Sequence, residues 1–152
     1  MGAEARLKEL GITLPAQSRP VANYVAAVRV GNLLFVSGHG PVNDGKIKMA
    51  GKLGRDVTVD EGYQVARTVA MNCLSSIRTE LGSLDKVKRF VKLLGMVNCT
   101  EDFKEQPKVI NGCSDLLVEV FGEAGKHARS AVGMQALPFA IPVEIEMVVE
   151  VE

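Results

Sequence analysis

Apolar residues occupy every second position from Val143 to Val151, and glutamates fill four of the five positions that lie between or just after them. Successive side chains of a β-strand point to opposite faces of the sheet, so this pattern predicts a strand with one buried and one polar face. The buried face needs a covering layer, which helices commonly supply. The acidic face is expected to be solvated or functional. The chain is therefore expected to form a sheet that is covered on one side.

Two apolar series with helical spacing are candidates for that covering layer. Thr58 and Glu61 have the spacing of a capping box, and apolar residues then recur every three or four positions as far as Gly82. A second series begins just after Pro107 and ends at Gly122. Both segments are predicted to be amphipathic helices. Residues 3–10 predict a short leader helix, and residues 15–20 an irregular connector.

The remaining strands are predicted from β-branched and aromatic runs. Residues 24–30 and 33–37 are separated by Gly31-Asn32, which predicts a tight hairpin. Residues 87–99 predict a strand in which Phe90 breaks the alternation. Residues 129–136 predict a strand that pairs with the last one as a terminal hairpin. The glycine-rich segment 38–54 is expected to be a loop that holds at most one short strand.

The predicted element order after the leader is β-β-α-β-α-β-β, which indicates an α+β fold with a single mixed sheet and two helices on one face. No linker or repeat divides the 152 residues, so residues 1–152 are expected to form one domain, with residues 1–20 as its N-terminal helix and connector. The other sheet face needs cover, and the weakly charged stretch 130–143 favours oligomerisation.

The amino-acid composition limits the partners and the cellular compartment to be expected. Eighteen basic and 18 acidic residues leave no net charge, which argues against a nucleic-acid partner. Three cysteines without a C-x-x-C spacing favour a reducing compartment. The first ten residues hold no apolar run, and the longest uncharged stretch is too short to span a bilayer. We therefore expect a cytoplasmic protein with no membrane partner.

Familiar catalytic motifs such as G-x-S-x-G, the phosphate-binding P-loop and H-E-x-x-H are absent from the sequence. His39 and His127 are the two histidines, so a ribonuclease-like acid–base pair would need both, and a structural role is the simpler interpretation for each. Cys73 and Cys113 fall on apolar helix faces and are predicted to be inert core thiols. No metal or organic cofactor is expected.

Arg129 and Glu144 are the most promising polar pair. The strand face of Arg129 continues with Ala131 and Gly133, which leaves room beside a guanidinium fork that suits a carboxylate ligand. Antiparallel pairing of the last two strands would bring Glu144 to the same region, although the sequence leaves open which copy's Glu144 it meets. On spacing alone, an exposed surface ion pair is the simpler alternative.

Several stretches together resemble the YjgF/RidA family of enamine/imine deaminases, historically labelled endoribonuclease L-PSP. The resemblance covers residues 24–149 and indicates a divergent branch with a longer N-terminus. The matching stretches are residues 28–38 with the following Pro41, Leu84-Asp85-Lys86-Val87, Asp102-Phe103, Ala128-Arg129-Ser130, Leu137-Pro138 and Val143-Glu144-Ile145-Glu146.

The resemblance implies a chorismate-mutase-like subunit in a homotrimer, with three sites in the clefts between neighbouring subunits. Arg129 would bind the substrate carboxylate and Glu144 would position the attacking water. The remaining substrate-binding candidates are Tyr24, Gly38, His39, Asn111 and Ala131. Members of the family resembled carry an asparagine on this helix. Asn111 has the matching side chain, but counting back from Phe121 without a gap places Ser114 at that position.

The activity implied is hydrolysis of reactive 2-enamino or 2-imino acids to 2-keto acids and ammonia, with a small imine or keto acid bearing a carboxylate as the partner. Residues around Tyr24 and His39 differ from the family's usual runs, and Ala131 replaces a frequent cysteine, so the substrate stays open. The alternatives are a non-enzymatic trimer that binds small carboxylates and, less favoured by charge and histidine content, an endoribonuclease.

Overall fold

The computed structural model describes residues 1–17, 20 and 22–152, so the predicted connector over residues 15–20 lies partly outside the described residues. Three α-helices, seven β-strands and three 3₁₀ turns are present in the described part. The helices are α1 (Ala3–Glu9), α2 (Val59–Leu81) and α3 (Gln106–Phe121). The strands are β1 (Ala27–Val30), β2 (Leu33–His39), β3 (Val42–Asn43), β4 (Lys46–Ile47), β5 (Val87–Asn98), β6 (Ala128–Met134) and β7 (Val143–Val151), and the 3₁₀ turns are Leu84–Lys86, Gly122–Gly125 and Pro138–Ala140.

Five strands form one mixed sheet in the order β1-β2-β7-β5-β6, which confirms the predicted α+β class. The prediction of a terminal hairpin is wrong, because β5 lies between β6 and β7 and β6 runs parallel to β5. Parallel neighbours need a crossover connection, and α3 supplies it between β5 and β6. β7 instead occupies the centre of the sheet, where both of its edges are paired.

The two long helices cover one face of this sheet. Thr58 and Glu61 form the predicted capping box, and α2 ends at Gly82 in the left-handed conformation, with φ of 82°. Helices α2 and α3 pack closely at Gly112, where an added Cβ would lie 1.9 Å from the carbonyl oxygen of Tyr63. Only glycine allows the two backbones to approach this closely.

The core lies between these helices and the sheet. The alternating apolar residues of β7 are all buried, as predicted, and so are Cys73 and Cys113. On the other face, Val28, Phe35 and Val132 remain substantially exposed. This apolar open face is compatible with the predicted self-association, which stays a prediction. None of the described helices is both long enough and apolar enough to cross a membrane.

Several boundaries differ from the predicted ones. β1 begins at Ala27 rather than at residue 24, and the glycine-rich segment holds two short strands, which form their own ribbon, where at most one was expected. Phe90 does interrupt β5, because the register with β7 shifts between Phe90 and Lys92. Phe90 is buried, and its ring packs edge-on against the ring of Phe121, with the two ring centroids 4.8 Å apart.

Candidate functional site

Arg129 lies on β6 and extends its side chain towards α3. Its Nη1 donates a hydrogen bond to Ser114 Oγ at 3.0 Å, and its Nη2 approaches the carbonyl oxygen of Pro107 at 3.5 Å. Both acceptors are neutral. No carboxylate of the described residues lies within 4.0 Å of this guanidinium. The partly buried cation is therefore oriented by the protein but not neutralised by it.

His127 completes the polar contacts around Ser114. Its Nδ1 lies 2.7 Å from the carbonyl oxygen of Gly125, and its Nε2 lies 2.9 Å from Ser114 Oγ. Burial lowers the pKa of His127, and the nearby charge of Arg129 lowers it further, although the bond to Gly125 opposes this shift. The neutral imidazole must donate from Nδ1 to the carbonyl, so Nε2 accepts the hydroxyl proton of Ser114.

Two other predicted residues lie near Arg129 in the fold. Asn111 falls on α3 between Pro107 and Ser114, on the same helix face, because these positions are four and three residues apart. Ala131 follows Arg129 on the same face of β6 and leaves space beside it. Of the two alternatives for the helix position, Ser114 is the side chain that meets Arg129. A role for Asn111 in binding stays a prediction.

Glu144 lies on β7, opposite Met96 of β5, and its carboxylate rests against the backbone of Gly38. A Cβ at Gly38 would lie 2.9 Å from Glu144 Oε2, so the absence of a side chain there makes room for the carboxylate. The register between β2 and β7 shifts just before His39, which creates this close approach. Burial raises the pKa of Glu144, and the neighbouring Glu146 raises it further.

Arg129 and Glu144 do not meet within one chain, which corrects the expectation of direct pairing between the last two strands. Leu93 of β5 pairs with Arg129 on one side and with Met147 on the other. Met147 belongs to the buried series of β7, so Arg129 lies on the face covered by the helices. Glu144 is three positions before Met147 on β7, so its side chain points to the opposite, open face of the sheet.

His39 lies on the helix-covered face, away from Glu144. Its Nδ1 lies 2.6 Å from the carbonyl oxygen of Ser37, and its Nε2 lies 2.8 Å from the hydroxyl of Ser76 on α2. Burial lowers the pKa of His39, and the bond to Ser37 partly opposes this. β7 and β5 separate β2 from β6, so strand spacing places His39 and His127 at least about 14 Å apart in one chain.

Tyr24 precedes β1 and is 54% exposed. β1 and β6 are the opposite edges of the five-stranded sheet, so Tyr24 and Arg129 lie far apart within one chain. The structure thus brings Arg129 into contact with Ser114, with Asn111 on the same helix face and Ala131 on the same strand face, and it brings Glu144 close to Gly38. It leaves Tyr24 apart from both groups, and the side chain of His39 lies on the opposite face of the sheet from Glu144.

The pairing of Ser114 with His127 was not predicted from the sequence. The one signal for it was the gapless count from Phe121, which selected Ser114 without indicating its partner.

A groove of about 1080 Å³ opens near the carboxyl ends of β5 and β6, and its lining includes Gln106 and Gly133. Among the described residues, no three His, Cys, Asp or Glu side chains converge as metal ligands would.

Comparison with known proteins agrees with this architecture. The family model described as "YjgF/chorismate_mutase-like, putative endoribonuclease" matches residues 4–150. Protein TCP17 of Trypanosoma cruzi is 49% identical over 147 residues, which cover 96% of this chain and 92% of that protein.

Two solved structures are similar over nearly the whole chain. The crystal structure of Atu1372 from Agrobacterium tumefaciens, a protein of unknown function, has a TM-score of 0.91 at 48% identity and covers 99% of this chain and 92% of that one. A "putative endoribonuclease" from Shewanella oneidensis has a TM-score of 0.95 at 34% identity and covers 99% of this chain and 100% of that one. The family prediction is confirmed, and the chain belongs to the YjgF/chorismate-mutase-like family, the group of the RidA and L-PSP proteins.

Proposed function

We propose that this protein is a deaminase that hydrolyses 2-enamino or 2-imino acids to 2-keto acids and ammonia. The observation that carries the proposal is the guanidinium of Arg129, which neutral acceptors hold and no carboxylate of the described residues neutralises. A partly buried cation gains most from an anionic ligand that fits its planar fork. A small carboxylic acid is the simplest ligand of that kind.

The second half of the site would come from another copy of the chain. Arg129 and Glu144 occupy opposite faces of the same sheet, so one chain cannot present both to a small molecule. Apolar side chains on the open face, including Val28 and Phe35, give neighbouring subunits a surface to bury. We therefore propose a homotrimer in which Arg129 of one subunit and Glu144 of the next flank each cleft, with Tyr24 as a further lining residue.

The proposed reaction is hydrolysis without any change of oxidation state. Arg129 binds the substrate carboxylate and fixes the position of the C=N carbon. Glu144 accepts a proton from water as the water oxygen bonds to that carbon, and it passes this proton to the nitrogen, which gives a carbinolamine. Glu144 then transfers the hydroxyl proton of the carbinolamine to the nitrogen as the C–N bond breaks, so the nitrogen leaves as ammonia and the oxygen becomes the carbonyl of the keto acid. A raised pKa makes the Glu144 carboxylate a stronger base for this step.

The direct test generates 2-aminoacrylate in situ and follows the formation of pyruvate. We expect Arg129→Ala and Glu144→Gln each to lower kcat/KM by about 100-fold or more. Arg89→Ala and Glu150→Gln are the matched controls, because they remove the same kinds of charge where β5 and β7 pair away from Arg129 and Glu144. Equal rates for wild type and Arg129→Ala would refute the proposal.

A carboxylate-binding protein without turnover is the second candidate, because the same observation at Arg129 favours it. Isothermal titration with a small keto acid separates the two. Binding that disappears in Arg129→Ala, together with no turnover of any imine above the uncatalysed rate, would favour this candidate. The zero net charge disfavours an endoribonuclease, and one chain does not bring His39 and His127 together as an acid–base pair.

A further inference from the structure

A continuous chain of polar contacts lies behind Arg129. It runs from the carbonyl of Gly125 through His127 and the hydroxyl of Ser114 to Nη1 of Arg129, with distances of 2.7, 2.9 and 3.0 Å. Three separate elements contribute to it, namely the 3₁₀ turn Gly122–Gly125, helix α3 and strand β6. Such a chain holds its members more firmly than a single contact would.

The direction of each hydrogen bond in this chain is determined. A carbonyl accepts only, so the neutral His127 carries its proton on Nδ1 and accepts at Nε2. The single proton of Ser114 therefore points to His127, and a lone pair of its oxygen faces Arg129. A serine hydroxyl usually rotates among several acceptors, but here the imidazole fixes it.

We infer that Ser114 and His127 are positioning residues, which hold the Arg129 guanidinium in the orientation that binds the carboxylate of the substrate. This inference rests on the proposed function. Ser114 is the side-chain acceptor of Arg129 among the described residues, and the contact with Pro107 is long, at 3.5 Å. Without the serine hydroxyl, the long arginine side chain would regain several rotamers.

The absence of charge on the Ser114 side chain also matters for the binding of a carboxylate by Arg129. An aspartate or glutamate in its place would also orient the arginine, but its charge would compete with the ligand carboxylate for the guanidinium. The hydroxyl orients the fork and leaves its charge for the ligand. His127 is suited to this task because burial and the Arg129 charge both lower its pKa and keep the imidazole neutral. The groups that face it are Arg129 from β6, Ser114 from α3 and the Gly125 carbonyl.

The first experiment needs no ligand. Nitrogen-15 NMR of the ligand-free protein reports the tautomer and the titration of each imidazole, and the His39→Gln variant assigns the two signals. We expect His127 to be the Nδ1–H tautomer, and Arg129→Gln to raise the pKa of His127 because it removes a neighbouring positive charge. Ser114→Asp should raise it too. A His127 signal with the proton on Nε2, or one that neither variant moves, would overturn the inference.

The second experiment separates binding from chemistry. Ser114→Ala should raise KM about tenfold and change kcat less than about twofold, because the lost contact serves carboxylate binding alone. Ser114→Thr keeps a hydroxyl and should restore most of the affinity. Ser114→Asp should fold normally, as judged by its melting temperature, and lose carboxylate binding. Ser83→Ala is the matched control, because it removes a serine contact on the distant turn Leu84–Lys86.

The outcomes distinguish this inference from the proposed function. If wild type neither binds keto acids nor hydrolyses imines, the proposed function fails, while the NMR titration still tests the Ser114–His127 pair. If wild type is active and Ser114→Ala and Ser114→Asp both keep the wild-type KM, the positioning role is refuted and the deaminase proposal stands.

Discussion

Replacing Gly112 by alanine should be strongly destabilising, because the added Cβ meets backbone rather than side chain. Its ideal position lies 1.9 Å from Tyr63 O and 3.1 Å from the backbone nitrogen of Arg67. Non-bonded heavy atoms need separations of roughly 3.5 Å, so α2 and α3 would have to move apart by more than about 1 Å. Such a shift loosens contacts along the whole interface between the two helices.

Gly62 provides the matched control within α2. A Cβ there would lie 2.9 Å from Leu53 Cδ1 and 3.2 Å from the methyl groups of Val109, which are ends of side chains that can adjust. Both substitutions gain about 1 kcal/mol of helix propensity. Overpacking costs roughly 1–3 kcal/mol where the neighbouring side chains can shift, as at Gly62. It costs more where the neighbour is a backbone carbonyl that cannot shift, as at Gly112.

Urea unfolding at equal protein concentrations measures the difference. We expect Gly62→Ala to stay within about 1.5 kcal/mol of wild type and Gly112→Ala to lose about 3 kcal/mol or more. A Gly112→Ala variant within about 1 kcal/mol of wild type would show that the helices tolerate the extra carbon, and the close-contact argument would then be incorrect.

Three further outcomes are expected. Gly38→Ala should displace the Glu144 carboxylate and lower kcat about tenfold, while its melting temperature stays close to that of the equally crowded control Gly40→Ala; equal kcat values for the two would contradict this. Glu146→Gln should move the acid limb of the pH–rate profile of the proposed deaminase reaction to lower pH, because Glu146 and burial both raise the pKa of Glu144. An unmoved limb would exclude Glu144 as the base. The pKa of His39 in the folded protein lies below its usual 6.5, so the unfolded chain binds more protons, and the free energy of unfolding should fall as the pH drops from 7 to 5. His39→Gln should weaken this fall. An unchanged dependence of the unfolding free energy on pH in acid denaturation curves would contradict the prediction.

The local elements could be predicted because each depends on residues a few positions apart. The capping box at Thr58 and Glu61 and the alternation in β7 are complete within one turn of helix or one strand, and both are present as predicted. Strand order could not be read in this way. The last two strands are consecutive in sequence, yet packing α3 on the sheet makes β6 a parallel neighbour of β5.

For the candidate site residues, the sequence and the tertiary structure likewise determine different properties. The types and spacing of Arg129 and Glu144 are properties of the sequence, and so is the match to the family. Which face each side chain takes depends on two successive strand registers through β5, and a change of one residue in either register would reverse the result. The contact of Ser114 with His127 likewise exists only because α3 lies over the start of β6. The sequence thus determined the chemistry available, and tertiary packing decided which groups share a face, because distances between remote segments follow from the packing of layers and not from residue order.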